Sequence, residues 1–349
     1  MTIALDFSQA TSPINALQQA QSLPDAAWWL PVCSEPATDI ARAQVLGVDL
    51  VLWRAKGAWQ AAPDQCPHRG ARLSDGCVQA NTLRCPYHGW AFDASGACTL
   101  VPAQPDFVPP ASHGLACVAV RLYAGLLWVQ LREDSAKPLP AALYPSHTAA
   151  QASTQTLKVL VGPYDVSSSA PRVVENFLDV SHFGTVHAGW LGDAAHMAVP
   201  PYEVKADAQQ ATASGVRVWQ PKSQAQLSSG AWVDYTYRVA HPFCAELSKL
   251  PENSDAVEES IAVWCAPLSQ NATRVWFSLC MADTGQGAQA VRDFQHTIFM
   301  QDKPILEGQR PARLPLAPTA ERHSAADRMS AAYRNLLRAW GVQAGVILA

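Results

Sequence analysis

The chain has 349 residues, 49% of them hydrophobic, which is enough to build two domains of ordinary size. Charged residues make up only 15%, the formal net charge is −4 and no Lys/Arg run forms a basic patch, which argues against a general nucleic-acid binder. Met1–Ala10 lacks a basic segment followed by an apolar one, and no apolar run reaches the ~18 residues of a membrane span, so the cytoplasm is the expected compartment.

In chain order, residues 1–26 read as a leader with weak helical character. From Trp28 the pattern becomes short strands and turns. Strands are predicted over Val45–Trp53, Gly57–Ala62 (with Gly57 at a hairpin turn), Thr82–Cys85, Ala91–Phe92, Cys117–Tyr123 and Leu126–Gln130. They suggest a small antiparallel β domain ending near Arg132. Glu133–Ser153, rich in Pro, Ala and Ser, reads as a linker. A helix is expected over Ala170–Gly184, then strands over Thr212–Gln220, Ala231–Val239, Ser260–Ala266 and Thr273–Met281. Two helices close the chain, Gly285–Gly308, with a kink or new turn at Pro304, and Ala325–Trp340, stopped by Gly341.

Nine cysteines in so long and core-rich a chain do not read as a disulfide framework. Seven are scattered as small hydrophobes or free thiols; pairing of Cys98 with Cys117 has nothing to support it beyond their presence. The other two carry a motif, Cys66-Pro67-His68-Arg69-Gly70 and Cys85-Pro86-Tyr87-His88-Gly89-Trp90. Each loop brings one Cys and one His to a tight turn. Two thiolates on one iron and two imidazoles on the other is the Rieske [2Fe–2S] arrangement. Zinc also accepts two Cys and two His, but zinc fingers favour paired Cys followed by paired His. Gly70, Gly89 and the prolines suit turns that bring backbone N–H groups to cluster sulfurs.

This segment resembles the Rieske domain of bacterial ring-hydroxylating oxygenases and related demethylases, and Tyr123-Ala124-Gly125-Leu126-Leu127-Trp128 resembles that family's closing strands. A Rieske protein that only carries electrons needs about 100 residues, and this chain continues for about twice that. The continuation holds Glu175-Asn176-Phe177-Leu178-Asp179-Val180-Ser181-His182-Phe183-Gly184-Thr185-Val186-His187. At about 100° per residue, Asn176, Asp179 and His182 share a helix face, whereas His182 and His187 diverge. The helix must therefore loosen or end between the two histidines, which Gly184 permits. Two histidines need a carboxylate to form a facial triad for non-haem Fe(II). The resemblance selects Asp302, in Asp302-Lys303-Pro304-Ile305-Leu306-Glu307, over Asp293 and Glu307.

The resemblance, from about Trp28 to Trp340, implies an α+β chain. An all-β Rieske domain (27–135) precedes a helix-grip mononuclear iron domain (155–345), an antiparallel sheet with helices. It implies cluster ligands Cys66, His68, Cys85 and His88 and iron ligands His182, His187 and Asp302. It places Asp179 between His182 and His88 of a neighbouring subunit, and hence implies a homotrimer. Asn176 is either a polar group behind the iron or in weak contact with it, or else a helix hydrogen-bonding residue. Electrons are expected from a flavin-dependent NAD(P)H reductase, directly or through a ferredoxin.

Length and the Glu175–Phe183 segment resemble the vanillate, dicamba and methylxanthine demethylase group. The expected activity is therefore monooxygenation or O- or N-demethylation of a small aromatic or heterocycle. The alternatives are cis-dihydroxylation of an aromatic ring, a pure electron carrier, or an iron-dependent ligand sensor. His196, His323, Arg217 and above all His241, in His241-Pro242-Phe243-Cys244, are open as substrate contacts.

Overall fold

The computed structural model describes residues 12–140, 156–222, 230–252, 258–283, 285 and 287–348. They form two compact units, the first reaching Leu139 and including Leu268–Gln270, the second comprising the rest. The start of the expected leader and residues 141–153 of the expected linker lie outside the described residues.

In the first unit, a short helix α1 (Pro13–Gln21) precedes ten strands: β1 (Leu30–Ser34), β2 (Ile40–Val45), β3 (Val48–Ala55), β4 (Ala58–Pro63), β5 (Cys77–Gln79), β6 (Thr82–Arg84), β7 (Ala91–Phe92), β8 (Cys98–Leu100), β9 (Ala119–Tyr123) and β10 (Leu126–Gln130). They make three small sheets, ordered β1-β10-β9, β2-β3-β4 and β5-β6-β7-β8. Two-residue turns close the hairpins at Leu46-Gly47, Lys56-Gly57, Ala80-Asn81 and Ala124-Gly125, and all eight residues have positive φ. That is the turn whose twist matches paired strands. It confirms the hairpin at Gly57 and corrects the strand expected over Val45–Trp53, which Leu46 and Gly47 divide. The alternation of apolar residues runs through such a turn and hides it. Trp53, Leu73, Leu83 and Phe92 fill the core beneath β5–β8.

The second unit is built on a seven-stranded sheet, ordered β11-β17-β16-β15-β14-β13-β12. The strands are β11 (Thr156–Val166), β12 (Glu203–Ala206), β13 (Ala211–Gln220), β14 (Ala231–His241), β15 (Cys244–Pro251), β16 (Glu259–Ser269) and β17 (Ala272–Ala282). Helices α2 (Ala170–Phe177) and α3 (Phe183–Val186) lie between β11 and β12 in sequence. After β17 come α4 (Gly287–Gly308), β18 (Leu314–Pro315), α5 (Arg328–Ala339) and β19 (Val346–Ile347). Helix α4 packs on β11 and α2, and α5 on β12 and β13. The α+β class, an all-β unit followed by an antiparallel sheet with helices, is as expected. Helix α4 continues through Pro304.

On β14 the buried side chains Val233, Tyr235, Tyr237 and Val239 alternate with more exposed ones, as a half-buried strand requires. Its neighbour β13 changes parity: Ala211 and Ala213 are buried, then Val216 and Val218. A bulge at Ser214-Gly215, with Gly215 at φ 69°, absorbs the extra residue. Among the described residues no helix is long and apolar enough to cross a membrane.

Candidate metal centres

The two Cys/His loops of the first unit leave β4 and β6 and share one backbone design. The Cys66 N–H donates to the Ala71 carbonyl and the Gly70 N–H to the Cys66 carbonyl, at 2.8 and 2.9 Å. In the other loop the Cys85 N–H donates to Trp90 and the Gly89 N–H to Cys85, at 2.9 and 3.1 Å. Gly70 and Gly89 turn the chain at φ 74° and 71°, a conformation that costs glycine little. Asp64, buried, anchors the first loop by accepting from the Ser74 N–H at 2.7 Å and its hydroxyl at 2.5 Å.

The result brings four side chains together. Cys66 and Cys85 are buried, His68 is half-buried and His88 is exposed. The His68 and His88 rings stand 4.5 Å apart between centroids, and His68 stacks on Trp90 at 4.6 Å. Burial and the adjacent Cys85 thiol push the Cys66 thiol up to about 12. A thiol raised this far ionises only against metal charge. The His68 Nδ1 atom is buried and has no hydrogen-bond partner among the described residues, which is the condition of a ligand atom aimed at an absent group. Cys98 and Cys117 are free thiols.

In the second unit, the helix expected over Ala170–Gly184 is interrupted before His182, not between His182 and His187. Asp179 breaks it. Its Oδ1 accepts from the Ser181 N–H at 2.9 Å and its Oδ2 from the His182 N–H at 3.3 Å, so the side chain takes donors that a continuing helix would use. Helix α3 then starts from His182 and ends at His187, so the two rings converge instead of diverging. Gly184 serves packing rather than unwinding. A Cβ at Gly184 would meet the Asp193 carbonyl at 3.0 Å and the Met197 sulfur closer still, and one at Gly192 would lie 2.6 Å from the Gly184 N atom, so both glycines let the segment after α3 close against it. Gly192→Ala should shift α3, cost about 1–3 kcal/mol of stability and lower iron occupancy, measured by thermal melts and metal analysis.

His182 Nε2 and His187 Nε2 are 3.2 Å apart. Asp302 Oδ1, from α4, lies 3.4 Å from the first and 3.2 Å from the second. The ligand atoms of these three residues all lie within 4.8 Å of one another, close enough to hold one metal ion. Ligands ~2.1 Å from one ion at angles of about 90–110° stand ~3.0–3.4 Å apart, so the spacing fits one face of an ion's coordination shell.

The hydrogen bonds agree. His182 Nδ1 faces Asp179 Oδ2 at 2.7 Å, and His187 Nδ1 faces Gln301 Oε1 at 2.7 Å. Each acceptor holds the proton on Nδ1, so in the neutral rings both Nε2 lone pairs point at each other and at a carboxylate. A cation is what that arrangement lacks. Burial disfavours charge on His182, yet the hydrogen bonds and charges of Asp179 and Asp302 prevail and raise it to about 9. Burial likewise opposes ionisation of Asp302, but when protons on the Nε2 atoms stand in for the cation, hydrogen bonds from the two histidines hold it down to about 2. Asn176 donates to Asp302 Oδ1 at 3.3 Å, which places it behind a ligand atom. Asp293 and Glu307, the competing carboxylates, face Gln289 and Lys303 instead.

Beside the triad opens a cavity lined by Phe177, Phe183, Tyr235, Tyr237, Phe277 and Phe299, among others. His241 and Arg217 do not line it. His241 sits at the β14–β15 turn, where its Nδ1 accepts from the Phe243 N–H. Arg217 lies on the opposite parity to Val216 and Val218 and pairs with Glu252 at 2.5 Å. His196 pairs with Asp193 at 2.8 Å, and His323 lines a polar groove over Asp179 and His182. The sequence reading missed Gln301. Its position beside Asp302 was a usable signal, because a ligating histidine needs an acceptor for its other nitrogen.

A family model for the Rieske [2Fe-2S] domain matches residues 29–119, and one for the vanillate O-demethylase oxygenase C-terminal domain matches residues 166–343. The chain belongs to the Rieske non-haem iron oxygenases. This oxygenase is 30% identical over 320 residues to methylxanthine N1-demethylase of Pseudomonas putida, covering 89% of this chain and 88% of that one. The structure of that protein, from Pseudomonas putida CBB5, with caffeine superposes with a TM-score of 0.75 at 26% identity, covering 93% and 92% of the two chains. Dicamba monooxygenase bound to dicamba, at 20% identity, shares the fold with a TM-score of 0.67 over 90% of this chain and 97% of that one.

A Rieske oxygenase of this kind carries a [2Fe–2S] cluster and a mononuclear iron. It is a terminal oxygenase of the hydroxylating or demethylating type, working with O₂ and supplied electrons. Gln301→Leu should weaken iron binding about 10- to 100-fold while leaving the cluster spectrum unchanged, as measured by iron titration and visible absorption.

Proposed function

We propose that this chain is a demethylating monooxygenase whose reaction is organised by His182, His187 and Asp302 at the mouth of the aromatic-lined cavity. The observation that carries the reading is the convergence of these three ligand atoms, 3.2–3.4 Å apart, beside a cavity lined with aromatic rings. Cys66, His68, Cys85 and His88 would hold the cluster, in a domain spanning 27–135, and the triad would hold the iron, in a domain spanning 155–345. When bound, the iron supplies O₂ activation and the cluster supplies electrons.

The chain's own residues do the rest. Asp179 and Gln301 hold the Nδ1 protons of His182 and His187, so both rings present Nε2. Asn176 restrains Asp302 by donating to its Oδ1. The phenyl rings exclude water and hold a flat substrate with one methyl group toward the triad. Hydroxylating an O- or N-methyl carbon consumes one O₂, two electrons and two protons and yields water and a carbinol. The carbinol collapses to formaldehyde and the demethylated product.

The proposal includes a reductase as electron source, flavin-dependent and fed by NAD(P)H, acting directly or through a ferredoxin. It also includes a cytoplasmic homotrimer in which Asp179 reaches His88 of a neighbouring copy. The exposure of His88 supports such a contact.

Iron-loaded protein, supplied with NADH and a surrogate reductase, is offered methoxylated and N-methylated aromatics. Formaldehyde equal to O₂ consumed is the expected result. A ring product carrying two new oxygens and no formaldehyde would replace this reading with dihydroxylation.

A further inference from the structure

The polar groups on the sheet wall of the cavity sit in register with their neighbours. Tyr235 on β14 pairs with Lys249 on β15, which pairs with Glu259 on β16. Two residues along, Tyr237 pairs with Leu247, and Leu247 with Ile261. Side chains two apart on a strand share a face, so both rows look the same way. Tyr235, Tyr237, Leu247, Lys249 and Ile261 all line the cavity.

Lys249 is the one Lys or Arg among the described lining residues. Its ammonium is 5% exposed as a residue and lies 2.9 Å from the Glu259 carboxylate, itself buried. Burial opposes its charge, but Glu259 outweighs burial and keeps it protonated. Its positive charge is therefore already matched. Tyr235 and Tyr237 stay neutral, because burial raises both phenols. The Tyr237 hydroxyl, in a residue 1% exposed, has no hydrogen-bond partner among the described residues. A buried donor in that condition is destabilising until an acceptor arrives.

We propose that this cavity selects an uncharged, flat aromatic or heteroaromatic ring carrying a carbonyl oxygen or ring nitrogen, with Tyr237 donating to that acceptor, and disfavours carboxylate anions. This rests on the oxygenase reading above and adds the charge of the substrate. An aromatic carboxylate entering the cavity would lose its hydration and find its one cation already paired with Glu259. An anion drawn to the iron instead would ligate it and take the positions that O₂ needs. A neutral ring meets neither cost, and Phe177, Phe277 and Phe299 offer it aromatic surface.

The test compares vanillate with its methyl ester, which share a ring and a methoxy group but differ by one charge, and adds caffeine as a neutral heterocycle. Calorimetric titration of the iron- and cluster-loaded protein reads affinity without turnover. The ester should bind at least about tenfold more tightly than vanillate. Tyr237→Phe should weaken ester and caffeine about fivefold without changing iron content. Glu259→Gln leaves the Lys249 charge unmatched, so vanillate should tighten about tenfold while ester binding, which also reports an intact fold, stays the same.

Vanillate binding as tightly as its ester in the unaltered protein would overturn the proposal, as would failure of both neutral probes to bind. Formaldehyde assays on the same samples judge the oxygenase reading separately. Formaldehyde release with no preference for charge keeps that reading and sinks this one. Tighter ester binding with no formaldehyde does the reverse.

Discussion

Asp302→Ala should purify with about two iron atoms per chain in place of about three, and consume no O₂ above the rate of free reductase. The reason lies in the charge balance of the site. Asp302 is the carboxylate that the His182 and His187 rings face, and it is held ionised, at about 2, by hydrogen bonds from those two rings despite its burial. Removing it leaves two imidazoles, too few ligands to hold a divalent ion against water. The loops carrying Cys66, His68, Cys85 and His88 belong to the other unit, so the cluster spectrum should be unchanged. Iron analysis and visible absorption on one sample check both halves. Retention of about three irons would show that another carboxylate completes the triad.

Asp179→Ala is the second large effect and has a different signature: both metals retained, turnover lowered about 10- to 100-fold. Asp179 performs two tasks that a single variant confounds. Its oxygens end helix α2 by accepting the Ser181 and His182 N–H groups, and Oδ2 holds the Nδ1 proton of His182. Asp179→Asn separates them. An amide oxygen still accepts from the Ser181 N–H, but its NH₂ cannot accept the proton of His182. If the charge and the held proton matter for electron delivery, Asn will be nearly as slow as Ala with a normal thermal melt. If only the turn matters, Asn will restore most of the rate. Normal turnover in both variants would remove Asp179 from the mechanism.

How much of this was legible beforehand follows from how local each feature is. The Cys/His loops could be read because each closes within six residues, Cys66 to Ala71 and Cys85 to Trp90, and their glycines mark the turns. His182 and His187 stand out for the same reason. The break before His182 did not, because the Asp179 side chain competes with helix hydrogen bonding, and helix periodicity carries no trace of that. Asp302 was selected by resemblance. Its contact with Asn176 spans 126 residues, and no local pattern encodes such a distance.

The sequence by itself determined the chemistry: which residue types are present, that they come in ligand-bearing turns, and that strands and helices follow in an α+β order. Only the tertiary structure decided which of them meet. The bulge at Gly215 sends Val216 and Val218 inward and leaves Arg217 outside, in a strand whose alternation alone would not say which face is the core. Register across β14, β15 and β16 aligns Tyr235, Lys249 and Glu259, from three segments that share no motif. Local dihedral preferences are written residue by residue along the chain, whereas strand register and helix docking are set by the burial of many side chains at once.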